Sequence, residues 1–241
     1  RVQSPALRMI VEREEEIEAF KPREYWSIAA DCRTGEQPFA ARLYQLDGKK
    51  VAQFTLEDEA SATAARERLE AAASGSLEVA KVDRRERKRN AAPPFTTSTL
   101  QQEAVRKLGL SASRAMRVAQ ELYEGVDIGQ GTVGLITYMR TDSVNLSNDA
   151  IGEIRGHIGE SYGADYVPET PNRYRTKSKN AQEAHEAVRP TSVANTPDKV
   201  RAFLNRDQFR LYEMIFKRTL ASQMKPAIFD QVSVDLAAGT E

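Results

Sequence analysis

The densest set of groups able to do chemistry is Gly134-Leu135-Ile136-Thr137-Tyr138-Met139-Arg140-Thr141-Asp142-Ser143, reached through Gly129 and Gly131. In an extended chain, Tyr138 and Arg140 share one face. A phenolate is a capable nucleophile. A phenol's reference pKa is about 10, so only about one in 10³ is ionised at neutral pH, a deficit of roughly 4 kcal/mol. A guanidinium is always charged and grips phosphate in a bidentate way. It can favour the phenolate and hold the phosphate under attack. The same residues also read as a tyrosine packed at a strand end beside a solvated arginine. A second set is Gln182-Glu183-Ala184-His185-Glu186-Ala187-Val188-Arg189-Pro190-Thr191. Only two histidines occur, His157 and His185. An imidazole at 185 can donate to a phosphate or pass a proton, or it can pair with a carboxylate. Two isolated histidines and the single Cys32 make no zinc site. Phe95-Thr96-Thr97-Ser98-Thr99-Leu100-Gln101-Gln102 offers hydroxyls and amides at a helix start, for a phosphate or for ordinary capping.

The elements that must position these groups follow from periodicity and punctuation. Residues 1–20 read as a charged, loosely periodic helix closed by Pro22. Strands are expected over 25–29, 40–46 and 50–54, the last two around the hairpin turn Asp47-Gly48. A helix over 57–73 stops at Gly75, and 77–82 alternates like a strand, giving a ββαβ unit. The stretch 81–89 holds six basic and two acidic residues; such a run can track a nucleic-acid backbone or be a solvated strand end. Ala91-Ala92-Pro93-Pro94 marks a domain boundary. Beyond it, Ser98 with Gln101 opens a helix ending near Gly109. A second helix starts at Ser111 or Ser113 and ends near Gly125, so the two resemble a helix-turn-helix. Ser147 caps a helix to about 157, and 161–180 reads as loop. A helix over 181–189 stops before Pro190. Thr196-Pro197 starts another, and Asp207 caps a longer one to about 224. The alternation of 229–236 reads as a strand returning to the first sheet.

Composition bounds the rest. The 241 residues allow one large or two modest domains, and 40 % apolar content allows a real core. Thirty-five basic and 35 acidic residues balance, which excludes a bulk-cationic coat but not a local basic face. No apolar run reaches the ~18 residues of a membrane span, and no signal peptide is visible. The chain opens at Arg1 in an apparent helix and closes after an apparent strand, so it reads as a piece of something longer.

Taken together, these residues resemble a known family, the type IA DNA topoisomerases. Residues 134–143 resemble its active-site tyrosine segment, 182–191 its histidine segment, 94–102 the block opening its helical domain, and Arg1-Val2-Gln3-Ser4 the end of a DNA-contacting segment. All occur in the family's order, and the resemblance covers essentially the whole chain. Met139 is the residue of the bacterial topoisomerase I subfamily, where topoisomerase III usually has proline. Val144 departs from the commoner threonine, which touches a peripheral hydroxyl and not the nucleophile. The resemblance implies an α+β fold: a discontinuous β-rich arch (23–94 and 225–241), a mostly helical domain bearing the active-site tyrosine (95–224), and the tail of a preceding domain (1–22). It implies Tyr138, Arg140 and His185 as catalytic residues, and Arg1, Gln3, Arg140, Thr141, Asp142, Ser143 and Arg189 as DNA contacts. It implies ATP-independent relaxation of negative supercoils through a 5′-phosphotyrosine on single-stranded DNA. It implies a monomer working in the bacterial cytoplasm at the nucleoid. The family's Mg²⁺ is held by a Toprim domain with an Asp-x-Asp pair; none occurs here, so no metal is expected on this fragment, and alone it is expected to be inactive. Two other readings remain: a non-catalytic helix-turn-helix module reading duplex DNA through 100–125, and a tyrosine recombinase, which needs a helical tyrosine and leaves a 3′-phosphotyrosine.

Overall fold

The computed structural model of the chain describes residues 2–129, 131–175 and 186–239. Their contacts divide into two compact units, Arg1–Arg85 with Gln231–Glu241, and Glu86–Asp230.

The first unit begins with α1 (Gln3–Ala19), which buries none of its residues. Two antiparallel hairpins follow. β1 (Ala29–Thr34) pairs with β2 (Gln37–Arg42), and Cys32 lies opposite Phe39. β3 (Gln45–Leu46) pairs with β4 (Lys49–Lys50). Asp47 and Gly48 both take positive φ, 51° and 71°, as a two-residue hairpin turn of this hand requires. The strand expected over 25–29 begins only at Ala29, and a hairpin turning at Gly35-Glu36 takes its place. α2 (Glu59–Ala73) is capped by Asp58, which accepts from Ser61 N at 2.7 Å, and ends in the left-handed Ser74 and then Gly75. Arg68 on α2 binds Asp47 at 2.5 Å and holds its carboxyl below the ordinary range. The core here is small: Leu56, Ala62 and Ala65, with Ile28, Leu43 and Leu46 against them. β5 (Glu78–Arg89) runs on through the whole basic stretch and is exposed along its length. It pairs with a late strand, β8 (Ala227–Ala237), in a two-stranded sheet of their own; the strand expected over 229–236 is present, but it does not join the sheet of the first hairpin.

The second unit is helical, with one short hairpin. Its elements are α3 (Thr97–Glu103), a π-helical turn Ala104–Leu108, α4 (Ala112–Glu124), β6 (Val126–Asp127) against β7 (Thr132–Val133), α5 (Asn148–Tyr162), α6 (Pro197–Val200) and α7 (Arg206–Ser222). Its core joins Ala115, Val118, Ala119 and Leu122 of α4 to Leu211, Tyr212, Ile215, Phe216 and Leu220 of α7, with Ile154 and Ile158 of α5. Ser111 and Ser147 cap α4 and α5 as expected. Two other caps differ. α3 opens on Thr96, whose hydroxyl and backbone exchange hydrogen bonds with Thr99, and α7 opens on Asn205, paired likewise with Gln208. The helix expected over 181–189 does not extend over 186–189, and 181–185 lie outside the described residues. Val188 bridges Phe95, and Pro190 bridges Ile136. Proline disfavours helical backbone in the residue before it, and the backbone donors here are taken by other segments. Ala187 N donates to Asn145 O, Val188 N to Phe95 O, and Thr191 N to Leu135 O.

Candidate active site

Residues 137–143 form a non-helical strap that bends at Met139 and has no ladder partner among the described residues. Exposure alternates nonetheless. Met139, Thr141 and Ser143 are 1 %, 6 % and 1 % exposed, whereas Tyr138, Arg140 and Asp142 face solvent. Tyr138 and Arg140 therefore both reach solvent on either side of the buried Met139.

Side-chain hydroxyls replace the missing ladder. Thr97, in the first turn of α3, donates through Oγ1 to Met139 O at 2.7 Å, with Thr141 O 3.0 Å from the same oxygen. The same oxygen accepts from Thr141 N at 2.8 Å, and Thr97 N donates to Thr141 O at 2.8 Å. On the other side of the tyrosine, Thr137 Oγ1 donates to Ala187 O at 2.8 Å and accepts from Arg189 N at 3.0 Å. Thr137 N donates to Arg189 O at 2.9 Å. Residues 186–189 are thus tied to the residue immediately before Tyr138. Such bonds satisfy backbone groups that would otherwise be buried unpaired.

The Tyr138 hydroxyl has no hydrogen-bond partner among the described residues, and its ring rests 5.2 Å from that of Tyr123. Arg140 makes no ion pair among the described residues. A shallow depression of about 350 Å³ is lined by Thr97, Ser98, Arg140, Thr141 and Asp142. It places an unpaired cation beside hydroxyls, an arrangement suited to a phosphodiester.

The other expected residues are placed as follows. Thr141 and Ser143 turn inward; Thr141 Oγ1 accepts from Ser143 N at 3.0 Å, and Ser143 Oγ from Asn145 N at 3.1 Å. Arg189 is half-buried and engaged: it binds Glu186 through Nε at 3.0 Å and Nη2 at 2.7 Å, and Pro190 O through Nη1 at 2.9 Å. Gln3 opens α1, exposed, in the other unit. Arg1 and His185 lie outside the described residues.

Glu186 joins two segments, the cap of α5 and its own stretch 186–189. Its Oε1 accepts from Ser147 N, the cap residue of α5, at 2.8 Å, and its Oε2 takes Arg189. Burial pushes its carboxyl up, but hydrogen bonds from Ser147 and the Arg189 guanidinium outweigh that and hold it below its ordinary value of 4.5. Thr137 and Tyr123 also make contacts around Tyr138. Their contacts cross long sequence separations, and no local pattern announces them. Among the described residues, no three His, Cys, Asp or Glu side chains converge as a metal site needs. Nor is any described helix long and apolar enough to cross a membrane.

Comparison with known proteins agrees with this picture. The chain is 62 % identical to the DNA topoisomerase 1 of Xylella fastidiosa (strain Temecula1) over 242 residues, covering 100 % of this chain and 30 % of that protein. It is 50 % identical to the DNA topoisomerase 1 of Rickettsia felis over 239 residues, covering 99 % and 30 %. The structure of full-length topoisomerase I from Thermotoga maritima superposes with a TM-score of 0.74 at 38 % identity, covering 98 % of this chain and 35 % of that one. The chain thus spans about 30 % of the length of the curated relatives it matches. With a DNA topoisomerase family model matching residues 1–241 from end to end, this chain belongs to the DNA topoisomerase family.

Proposed function

We propose that this chain carries the strand-cleaving tyrosine of a type IA DNA topoisomerase, which relaxes negatively supercoiled DNA without ATP. The observation that carries the reading is a solvent-facing phenol with no hydrogen-bond partner among the described residues, two residues before a solvent-facing arginine that has no carboxylate partner among them. Tyr138 Oη gives up its proton and attacks the phosphorus of a single-stranded phosphodiester. The bond from phosphorus to the 3′-oxygen breaks, and that oxygen leaves as a hydroxyl. The 5′-phosphate stays on Tyr138. Arg140 neutralises the phosphate and the charge that builds on it. His185 is the proposed hydrogen-bond donor beside it.

After the intact strand passes, the 3′-hydroxyl attacks the phosphotyrosine and restores the backbone. One phosphodiester is exchanged for another, so no nucleotide need be consumed, and superhelical strain drives the net change. Asp142, at the rim of the depression, offers an acceptor to base amino groups, while Thr141, Ser143 and Arg189 shape the site from behind.

The DNA partner and the Mg²⁺ of a Toprim domain belong to the reading of the whole protein, proposed to act as a monomer on nucleoid DNA in the bacterial cytoplasm. Alone, the 241-residue chain is proposed to bind single-stranded DNA weakly and not to cleave it.

The test is covalent capture by the full-length enzyme on a single-stranded oligonucleotide with Mg²⁺, quenched in detergent. Tyr138→Phe is expected to abolish the protein–DNA adduct while leaving circular dichroism and melting unchanged. An adduct that persists in this variant overturns the proposal.

A further inference from the structure

Tyr123 is the penultimate residue of α4, and its ring lies against that of Tyr138, with centroids 5.2 Å apart and planes inclined by 59°. The backbone puts it there. Leu135 N donates to Leu122 O at 2.8 Å, joining the end of α4 to the approach of the strap. Gly134 passes so close that a Cβ on it would sit 2.7 Å from Tyr123 O, a distance no side-chain carbon adopts. Leu122, fully buried, anchors this turn of the helix in the core.

The two tyrosines differ in how they are held. The backbone around Tyr138 is fixed by Thr137 and Thr97, but nothing fixes its side chain by hydrogen bonding, and it is 47 % exposed. An exposed side chain of this kind hops between rotamers in picoseconds to nanoseconds. Its described ring neighbour is Tyr123, mounted on a packed helix. Tilted aromatic pairs at this separation attract through their quadrupoles as well as by contact. The Tyr123 hydroxyl makes no hydrogen bond among the described residues, so the contact belongs to the ring alone.

We infer that Tyr123 is a positioning residue whose ring confines the Tyr138 side chain to the orientation facing the phosphate held by Arg140. This rests on Tyr138 being the nucleophile. Tyr123 acts through Tyr138, so it governs how often the phenol is aimed and not how tightly DNA is held. A base-stacking role for Tyr123 would instead appear in affinity, since stacking on an aromatic ring strengthens single-strand binding.

The experiment uses the full-length enzyme and two readouts: single-turnover formation of the covalent adduct at saturating oligonucleotide, and the dissociation constant for the same oligonucleotide in the Tyr138→Phe background. Tyr123→Ala is expected to slow adduct formation about threefold to tenfold, the range to which aromatic pair energies convert, with the dissociation constant unchanged. Tyr123→Phe, which keeps the ring, is expected to restore the wild-type rate. Should Tyr123→Ala fail to fold, Tyr123→Leu keeps apolar bulk without a flat ring and carries the same expectation. Wild-type rates in the ring-less variants, a loss confined to the dissociation constant, or failure of Tyr123→Phe to restore the rate would each overturn the inference. If Tyr138→Phe itself retains the adduct, the nucleophile assignment has failed instead, and the two failures are separable.

Discussion

α7 and α1 are both seventeen residues long, and they use their apolar residues in opposite ways. In α7, Leu211, Tyr212 and Ile215 are completely buried among residues of α4 and α5. In α1, Leu7, Met9, Ile10 and Ile17 all stand more than half exposed. The same contrast separates the two units: a broad core in Glu86–Asp230 against three buried residues in the other. The candidate catalytic strap lies in the well-packed unit. Holding a phenol and a guanidinium to one phosphate demands precision well below the length of a bond contact, and only a close-packed scaffold supplies it. Apolar content alone does not reveal which helix is load-carrying; the spacing of that content does.

Three substitutions probe this contrast by stability in urea. The largest effect is expected for Leu211→Ala in the 241-residue chain, a loss of about 2–5 kcal/mol, because a fully enclosed leucine leaves a cavity. A loss below about 1 kcal/mol would show that the core of this unit is not the rigid support described.

Next comes Glu186→Gln, which weakens the tie between the cap of α5 and the segment behind Tyr138. At pH 7 the loss is expected to be about 1 kcal/mol, discounted for partial exposure. Its pH dependence is the sharper readout. The folded carboxyl lies below its ordinary 4.5, so the unfolded chain binds the proton more tightly. The stabilisation is complete above that value and drains away as pH falls through the lower, folded pKa. Wild type and variant should therefore converge in stability below pH 4.5. A gap that stays constant down to acid would contradict the assignment. The smallest effect is expected for Ile10→Ala in α1, within about 0.5 kcal/mol, because its side chain is already in water. A loss above 1 kcal/mol would mean that this face is covered.

What the sequence made legible follows the range of the forces involved. Ser147 could be read as a cap, and Ser111 as one of two candidates with Ser113, because capping is settled within four residues. Thr96 and Asn205 were displaced to Ser98 and Asp207 because several capping residues stand side by side, and only the backbone chooses among them. The β1–β2 hairpin, by contrast, is not announced by the sequence at all. β1 exposes nearly every residue, so Ala29–Thr34 carries no apolar alternation to read. The strap at 137–143 carries Tyr138 and Arg140 to solvent on either side of the buried Met139. Its supports were not legible. Thr97 and Thr137 reach partners 42 and 50 residues away, and Glu186 reaches Ser147 across 39. Side-chain staples of that span leave no periodic trace. The helix expected over 181–189 gave way, across its described part, to just such long-range pairing.

The most direct measurement identifies the amino acid that carries DNA. Full-length enzyme is trapped on a single-stranded oligonucleotide, digested with protease and nuclease, and the modified peptide is sequenced by mass spectrometry. The expected product is the peptide containing Tyr138, bearing a nucleotide through its 5′-phosphate. A nucleotide on any other residue, or one attached through a 3′-phosphate, would contradict the mechanism.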